Sequence, residues 1–395
     1  MRHSHCRGRG SIPLRSTLLK NMSQSLTWVE ISKNAINYNL KQFRKLIGPN
    51  NLLMPVIKAN AYGHGFLEMA RICNQNRNVD RICVVNLDEA LILIKNKIRK
   101  PIMILSFYDL DKNRLKDAVK NNVIFPLYDL KQAKILNYLG KKNKKKIKVH
   151  LEVDTGTSRT GVMPKEVLGF VKKMRNYHLL ELEGIWSHFA SSEEDSQYTR
   201  KQLKIFTTLI KELEKNKIQI PLKHMACSAS SVLYPQSILN GIRLGISFYG
   251  LYSGPKEKTK IKLKPALSWF TRIIQIKELP RNTKIGYGST YITRKSTKIA
   301  VLPVGYWDGY DRKLSNQAKV IIHHKKCSIR GRICMNLCMV DITQIKQAKV
   351  GDKVFLLGKD KKSQISAEDL AQIIGTNNCE VITRINPLLP RIYLT

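Results

Sequence analysis

No apolar stretch in this 395-residue chain approaches the length of a membrane span, and no secretory hydrophobic region precedes the first ordinary segment. A helical membrane protein and an exported one are therefore not expected. The eight cysteines lack any framework spacing, which points to reduced thiols and a cytoplasmic protein. The closest group is Cys327, Cys334 and Cys338, with His323 and His324 just upstream. In a strand-rich region, alternation splits such neighbours between two faces, so no metal site is expected there. Acidic side chains are scarce, 29 against 69 basic, for a formal net charge of +40. That balance raises nucleic-acid binding. The basic residues are spread along the whole chain, however, and the one dense cluster, residues 141–148, sits in a short connection with no nucleic-acid motif. Biased composition is the preferred reading.

What is present suits a two-domain globular protein, with 43% apolar and 25% charged residues. Residues 1–21 contain Arg and Ser, no acids and no apolar core, and are expected to be a disordered or non-native extension. A transit peptide is the alternative. Eight short apolar runs follow, rich in Val and Ile: 52–57, 82–86, 102–106, 123–127, 147–153, 182–189, 222–226 and 242–248. Amphipathic stretches such as 110–120, 130–139, 165–175 and 198–215 lie between them. This alternation predicts an α/β fold, an N-terminal (β/α)8 TIM-like barrel over residues 22–265. After Pro265 the long helical segments stop. Strands at 267–275, 299–303, 319–322, 329–332, 339–342 and 353–357 predict a smaller, mostly β domain over 266–395. Only 367–374 reads as helical there, with Ser366 as its N-cap. A first strand at about 26–31 is expected to pair with this second domain.

Active residues of such barrels come from the C-terminal ends of the strands. The first strand ends at Lys58, followed by Tyr62, Gly63, His64 and Gly65. A lysine in a partly apolar pocket has a lowered pKa and can form a Schiff base. The fifth strand ends at Glu152 and Asp154, before a loop carrying Arg159. The sixth ends at His188 and the seventh at Cys227 and Ser228. The eighth carries Arg243, Gly245 and Ile246. Barrel phosphate sites are often built from the loops after strands seven and eight, so Ser228 and Gly245 predict a phosphate there, with Lys58 across the mouth.

The strings PVIKANAYGHG, HLEVDTGTSRTGV, GIWSHFASSEE, HMACSAS, IRLGISFYG, IGYGSTY, LPVGYWDGYDR and GRICMN occur in this order, and the chain from about residue 26 onward resembles the alanine racemase family. The resemblance implies an isomerase that interconverts L- and D-alanine through a pyridoxal 5'-phosphate Schiff base. It implies a homodimer with shared active sites and a role in supplying D-alanine for peptidoglycan. Lys58 would carry the cofactor and, with Tyr287, act as one of two bases. Tyr62, Ser228, Gly245 and Ile246 would hold the phosphate. His188 would lie against the ring, and Arg243, supported by His224, would face its nitrogen. Arg159 and the backbone of Met335 would bind the substrate carboxylate. Tyr287 would reach in from the partner subunit, stabilised as phenolate by Arg159 and His188, and Tyr306 would line the entrance.

This chain departs from the family pattern at Glu152, where many members carry a modified lysine, and at Cys227, Asn336 and Pro387, the last near a phosphate-contacting tyrosine of some members. Glu152 is expected to orient Arg159. A racemase of serine or a basic amino acid is the alternative. A decarboxylase would lack IGYGSTY and GRICMN, and a basic nucleic-acid-binding protein has only the net charge in its favour.

Overall fold

The computed structural model describes residues 25–395 apart from residue 362, so the expectation for residues 1–21 lies outside the described part. The chain forms two compact units. One comprises residues 31–267, 375–385 and 393–395; the other comprises 268–374 and 386–392 together with the N-terminal stretch up to Glu30.

In the first unit the eight apolar runs become eight short strands: β1 (Leu52–Pro55), β2 (Ile82–Val84), β3 (Ile102–Ile104), β4 (Phe125–Leu127), β5 (Ile147–Glu152), β6 (Leu180–Trp186), β7 (Leu222–His224) and β8 (Gly241–Leu244). Neighbours pair in parallel around the ring. Ladders join β2 to β3 and run from β4 through β7. Bridges Val56–Cys83 and Met103–Ile124 complete the steps between. The Arg243 amide donates to Ala226, and β8 pairs with β1 from Leu52–Gly241 to Pro55–Leu244, so the barrel closes and leaves no edge. The interior packs Met54, Val56, Cys83, Met103, Ile124 and Trp186 together.

The outer helices start where short polar side chains stop the strand-to-helix loops. Asn86, Asp111, Asp129 and Asp195 each accept a backbone N–H of the first turn that follows, satisfying donors that have no partner within the helix. The segment Gly375–Ile385 clusters with the barrel rather than with the β-rich remainder of the C-terminal half. It contains a second helix, Asn378–Thr383, capped by Asn377. The sequence reading had only one helix after Pro265, because six residues are too few to show a helical period.

The second unit is built on sheet. Its larger sheet runs in the order Lys325–Ser328, Lys319–Ile322, Lys353–Asp360, Leu267–Arg272, Thr27–Ser32, Arg391–Leu394. A smaller one pairs Gln275–Leu279, Thr297–Leu302 and Cys338–Asp341. The expected single strand 267–275 is two strands that leave Ile273 and Ile274 between them. The expected strand 329–332 is reduced to one bridge, Ile329–Val340, next to the turn glycine Gly331. Helix Ala367–Ile374 lies where its pattern placed it. Ser366 accepts from the Asp369 amide at 3.1 Å, and Asp369 accepts from the Ser366 amide at 2.8 Å. This reciprocal cap gives a testable outcome. Ser366→Ala should lower stability by about 1 kcal/mol, read as a lower urea midpoint; an unchanged midpoint would remove the cap from the account.

Candidate active site

A cavity of about 440 Å³ opens at the C-terminal ends of the barrel strands. Lys58, Arg159 and Arg243 line it, against one acid, Glu193. The surplus of cations suits a ligand with more than one anionic group.

Lys58 opens an unusual turn. Ala59, Asn60, Ala61 and Tyr62 all have φ between 51° and 53°, a left-handed helical turn that costs about 1–2 kcal/mol per non-glycine residue. Surrounding groups hold it. The Ala59 amide donates to Glu89 Oε1 at 2.9 Å, and the other Glu89 oxygen takes the Val85 amide at 2.8 Å. Gly63 follows with φ 83° and lies so close to helix Asn378–Thr383 that a Cβ would meet the Ile382 carbonyl oxygen at 2.1 Å. The turn presents Lys58 and Tyr62 to the same cavity. Burial, then the positive charge of Arg159, lowers the Lys58 pKa, so more of its amine is neutral and nucleophilic.

Across the cavity, Ser228 Oγ accepts from the amides of Gly245 at 3.0 Å and Ser247 at 3.3 Å. A Cβ on Gly245 would stand 3.2 Å from Tyr62 Oη and 3.7 Å from Ser228 Oγ. Two hydroxyls and a bare stretch of backbone therefore converge on one small space, a set of donors that fits a phosphate group. Ile246 lines the same wall.

Arg243 is buried at 3% exposure. Its guanidinium donates to the carbonyls of Ser187 at 2.7 Å and Met225 at 3.2 Å, and to His224 Nδ1 at 2.6 Å. It also lies 4.6 Å over the Trp186 ring, an attraction of about 2 kcal/mol when desolvated. Burial brings its pKa down to about 10, which leaves it a cation at neutral pH. His188 stands 3.3 Å from Arg243 through Nδ1. Burial, then Arg243, Arg159 and Lys58, push the His188 pKa down to about 3. It is a neutral imidazole at neutral pH, so of the cationic or donor roles expected of it only that of a hydrogen-bond donor is left.

The loop after β5 is wrapped around Asp154, whose Oδ1 accepts the amides of Gly156, Thr157 and Ser158. This turn carries Arg159 to the cavity.

Comparison with known proteins matches residues 31–253 to the family profile described as alanine racemase, N-terminal domain, and residues 266–393 to alanine racemase, C-terminal domain. A curated alanine racemase of Methanococcus maripaludis is 40% identical over 372 residues, covering 93% of this chain and 98% of that protein. One from Clostridium perfringens is 40% identical over 369 residues, covering 93% and 95%. The chain belongs to the alanine racemase family. The solved alanine racemase of Clostridium difficile 630 superposes with a TM-score of 0.87 at 32% identity, covering 94% of this chain and 96% of that one. A solved histidine racemase from Leuconostoc mesenteroides also superposes, with a TM-score of 0.84 at 26% identity, covering 94% and 99%. The expected barrel and sheet-rich C-terminal domain of the alanine racemase family are thus both present.

Of the residues predicted for the site, Lys58, Tyr62, Arg159 and His188 line the cavity, as do Ser228, Arg243, Gly245 and Ile246. His224 lies buried behind Arg243. Tyr287, Tyr306 and Met335 belong to the other unit, where they are 68%, 43% and 55% exposed. One expected contact is not formed. Glu152 takes its hydrogen bond from Thr160 at 2.9 Å, its second oxygen is buried without a partner, and Arg159 acts on it only through space. Pro387, noted as a departure, belongs to the other unit. Cys379, on the short helix that the sequence pattern does not show, lines the cavity. Cys227, noted as a departure, also lines it. Glu89 was missed too, although Asn86 with an acid three residues on is a helix-start pattern. Among the described residues no group of His, Cys, Asp and Glu could hold a metal ion.

Burial pushes the Glu152 carboxyl up to about 7. A carboxyl raised in the folded state stabilises the fold when protonated, fully below its unfolded pKa of about 4.3. That contribution is lost as pH rises through about 7. Glu152→Gln keeps the acceptor for Thr160 and does not titrate. Its stability relative to the parent should rise between pH 4 and pH 8 by up to about 3 kcal/mol, read as urea midpoints; the same difference at both pH values would refute the assignment.

Proposed function

We propose that this protein racemises alanine with pyridoxal 5'-phosphate as cofactor. The observation that carries the reading is Lys58, its pKa lowered by burial and Arg159, in the same cavity as the Tyr62–Ser228–Gly245 cradle and the buried Arg243. The residues fit the group: Lys58 would attach it, the cradle would hold its phosphate, and Arg243 would face its ring nitrogen. Bound to an amino acid, this cofactor draws electrons from the Cα–H bond and makes that proton acidic.

The chain's own groups do the rest. Arg159 binds the substrate carboxylate and, with a Met335 amide supplied across the dimer proposed below, fixes which way Cα faces. Lys58 Nζ would take or return the proton on the face of the D-isomer. Tyr287 Oη serves the face of the L-isomer. Two bases on opposite sides return the proton to the face it did not leave, which is racemisation. Arg243 has no lone pair to offer the ring. Facing the ring nitrogen, it would donate a hydrogen bond without giving up its proton, which would limit electron withdrawal and favour reprotonation at Cα over transamination.

We further propose that the protein works as a homodimer in which Tyr287 completes the partner's cavity. Tyr287 stands on a turn between the strands Lys284–Ile285 and Tyr291–Ile292 and is largely exposed. In the same unit, exposed Tyr306 and Trp307 are tied by their amides to the carbonyls of Cys334 and Met335. An aromatic surface of this kind suits burial against a second copy. The proposed setting is the cytoplasm, where the product would supply peptidoglycan synthesis. No helix among the described residues is long and apolar enough to cross a membrane.

The test is chiral chromatography of products from L-alanine, L-serine, L-lysine and L-histidine with purified protein and added cofactor. D-alanine should form fastest. Lys58→Ala should abolish it and the cofactor's absorbance on the protein, and Tyr287→Phe should lower kcat by about 10²–10⁴-fold. Faster turnover of histidine, serine or lysine would replace the substrate, and full activity of Lys58→Ala would overturn the chemistry.

A further inference from the structure

Behind Arg243 the barrel interior holds a row of buried polar groups to which the chemistry above gives no task. His224 on β7 faces Arg243 through Nδ1 at 2.6 Å. Its Nε2 lies 2.8 Å from Nδ1 of His150 on β5. His150 Nε2 in turn lies 2.9 Å from Oε2 of Glu183 on β6. Glu183 is anchored from beyond by Arg81, with contacts of 2.6 and 3.1 Å, and by Lys148 at 2.7 Å. Both histidines are buried, at 0% and 1% exposure. The row needs Gly184, where a Cβ would meet His150 Nδ1 at 2.4 Å.

The direction of every bond in the row is forced. A guanidinium only donates, so His224 Nδ1 must accept. The proton of this neutral ring is then on Nε2 and donates to His150 Nδ1. The His150 proton is therefore on its Nε2 and donates to the Glu183 carboxylate. Arg81 Nη1 also stands 3.4 Å from His150 Nε2, but both atoms carry hydrogens in this arrangement, so that contact adds no bond. Burial, then Arg243, keeps His224 neutral, and burial keeps His150 neutral against the pull of Glu183. Burial alone would raise the Glu183 carboxyl; the hydrogen bonds from His150, Arg81 and Lys148 override it and hold the group well below the usual carboxylate range. A cation at one end and an anion at the other thus agree on one polarity.

We propose that Glu183 is a positioning residue for Arg243: acting through His150 and His224, it fixes the lone pair that holds the guanidinium at the cavity. This rests on the reading that Arg243 faces the cofactor's ring nitrogen. Without the acceptor at 183, His150 is free to adopt its other tautomer. His224 would then present an N–H to Arg243, donor against donor, and the guanidinium would leave its place.

The first test is nitrogen-15 NMR of the protein labelled at histidine. His150 and His224 should both be neutral with the proton on Nε2; a cationic ring or an Nδ1–H tautomer at either position overturns the proposal. The second test compares His150→Gln with His150→Leu. A glutamine can pass on the same polarity, its oxygen accepting from His224 and its N–H donating to Glu183, whereas leucine cannot. His150→Leu should lower kcat about 10-fold, as for other lost partners behind a histidine, with the KM for alanine little changed. More turnovers should also end in half-transamination, in which alanine leaves as its keto acid and the cofactor keeps the amino group. His150→Gln should recover most of this, and Glu183→Leu, which leaves no acceptor at 183, should behave like His150→Leu. Equal impairment of the two His150 variants, or no impairment in His150→Leu, overturns the proposal. If Glu183→Leu fails to fold, the His150 pair still decides. The NMR needs neither cofactor nor substrate. Protein inactive on alanine with the expected tautomers would therefore overturn the functional reading and leave the relay standing.

Discussion

A guanidinium buried at 3% exposure without a carboxylate beside it is the constraint around which the barrel interior is arranged. Moving a cation out of water costs several kcal/mol unless other groups replace the solvent. Here the replacement comes from the barrel itself. The strand ends offer the carbonyls of Ser187 and Met225, β7 offers a histidine lone pair, and Trp186 offers the face of its ring. Having accepted one cation, the site keeps its histidines from charging. His188 and His224 are both held neutral, by burial first and by Arg243 next. The Lys58 pKa is lowered as well, by burial and by Arg159. A lysine that gives up its proton more readily than usual and a guanidinium that keeps its own both follow from lining one cavity with positive groups.

The second constraint is the left-handed turn from Ala59 to Tyr62. No glycine relieves it, so its strain is offset by the packing of its surroundings. Glu89 takes the first amide of the turn, and Gly63 allows helix Asn378–Thr383 to approach. The turn sets the reactive amine and the Tyr62 hydroxyl on one side of the same cavity. Its sharpness is what brings Tyr62 Oη close to Gly245 and Ser228. The segment that supports it is far away in sequence, and it brings Cys379 with it.

Much of this was legible in the sequence because it depends on order and period. Eight apolar runs at βα spacing give a closed barrel, and residues at strand ends then fall at its mouth, which is why Lys58, Arg159, His188, Ser228 and Arg243 could be named together. What escaped is pairing across strands. Alternation tells which face His150 occupies, but not that His224 and Glu183 are its neighbours. For the same reason Glu152 was paired with Arg159, seven positions on, when the loop instead brings Thr160 to it. Short elements escaped as well: six residues show no period, so the helix carrying Cys379 went unseen.

The central claim is that Arg243 offers the cofactor's ring nitrogen a hydrogen bond without transferring a proton. The most direct measurement is nitrogen-15 NMR of the protein loaded with pyridoxal phosphate labelled at the ring nitrogen. The account predicts the shift of an unprotonated, hydrogen-bonded pyridine, moved toward that of a free pyridine when Arg243 is replaced by leucine. A pyridinium shift in the unaltered protein would contradict it.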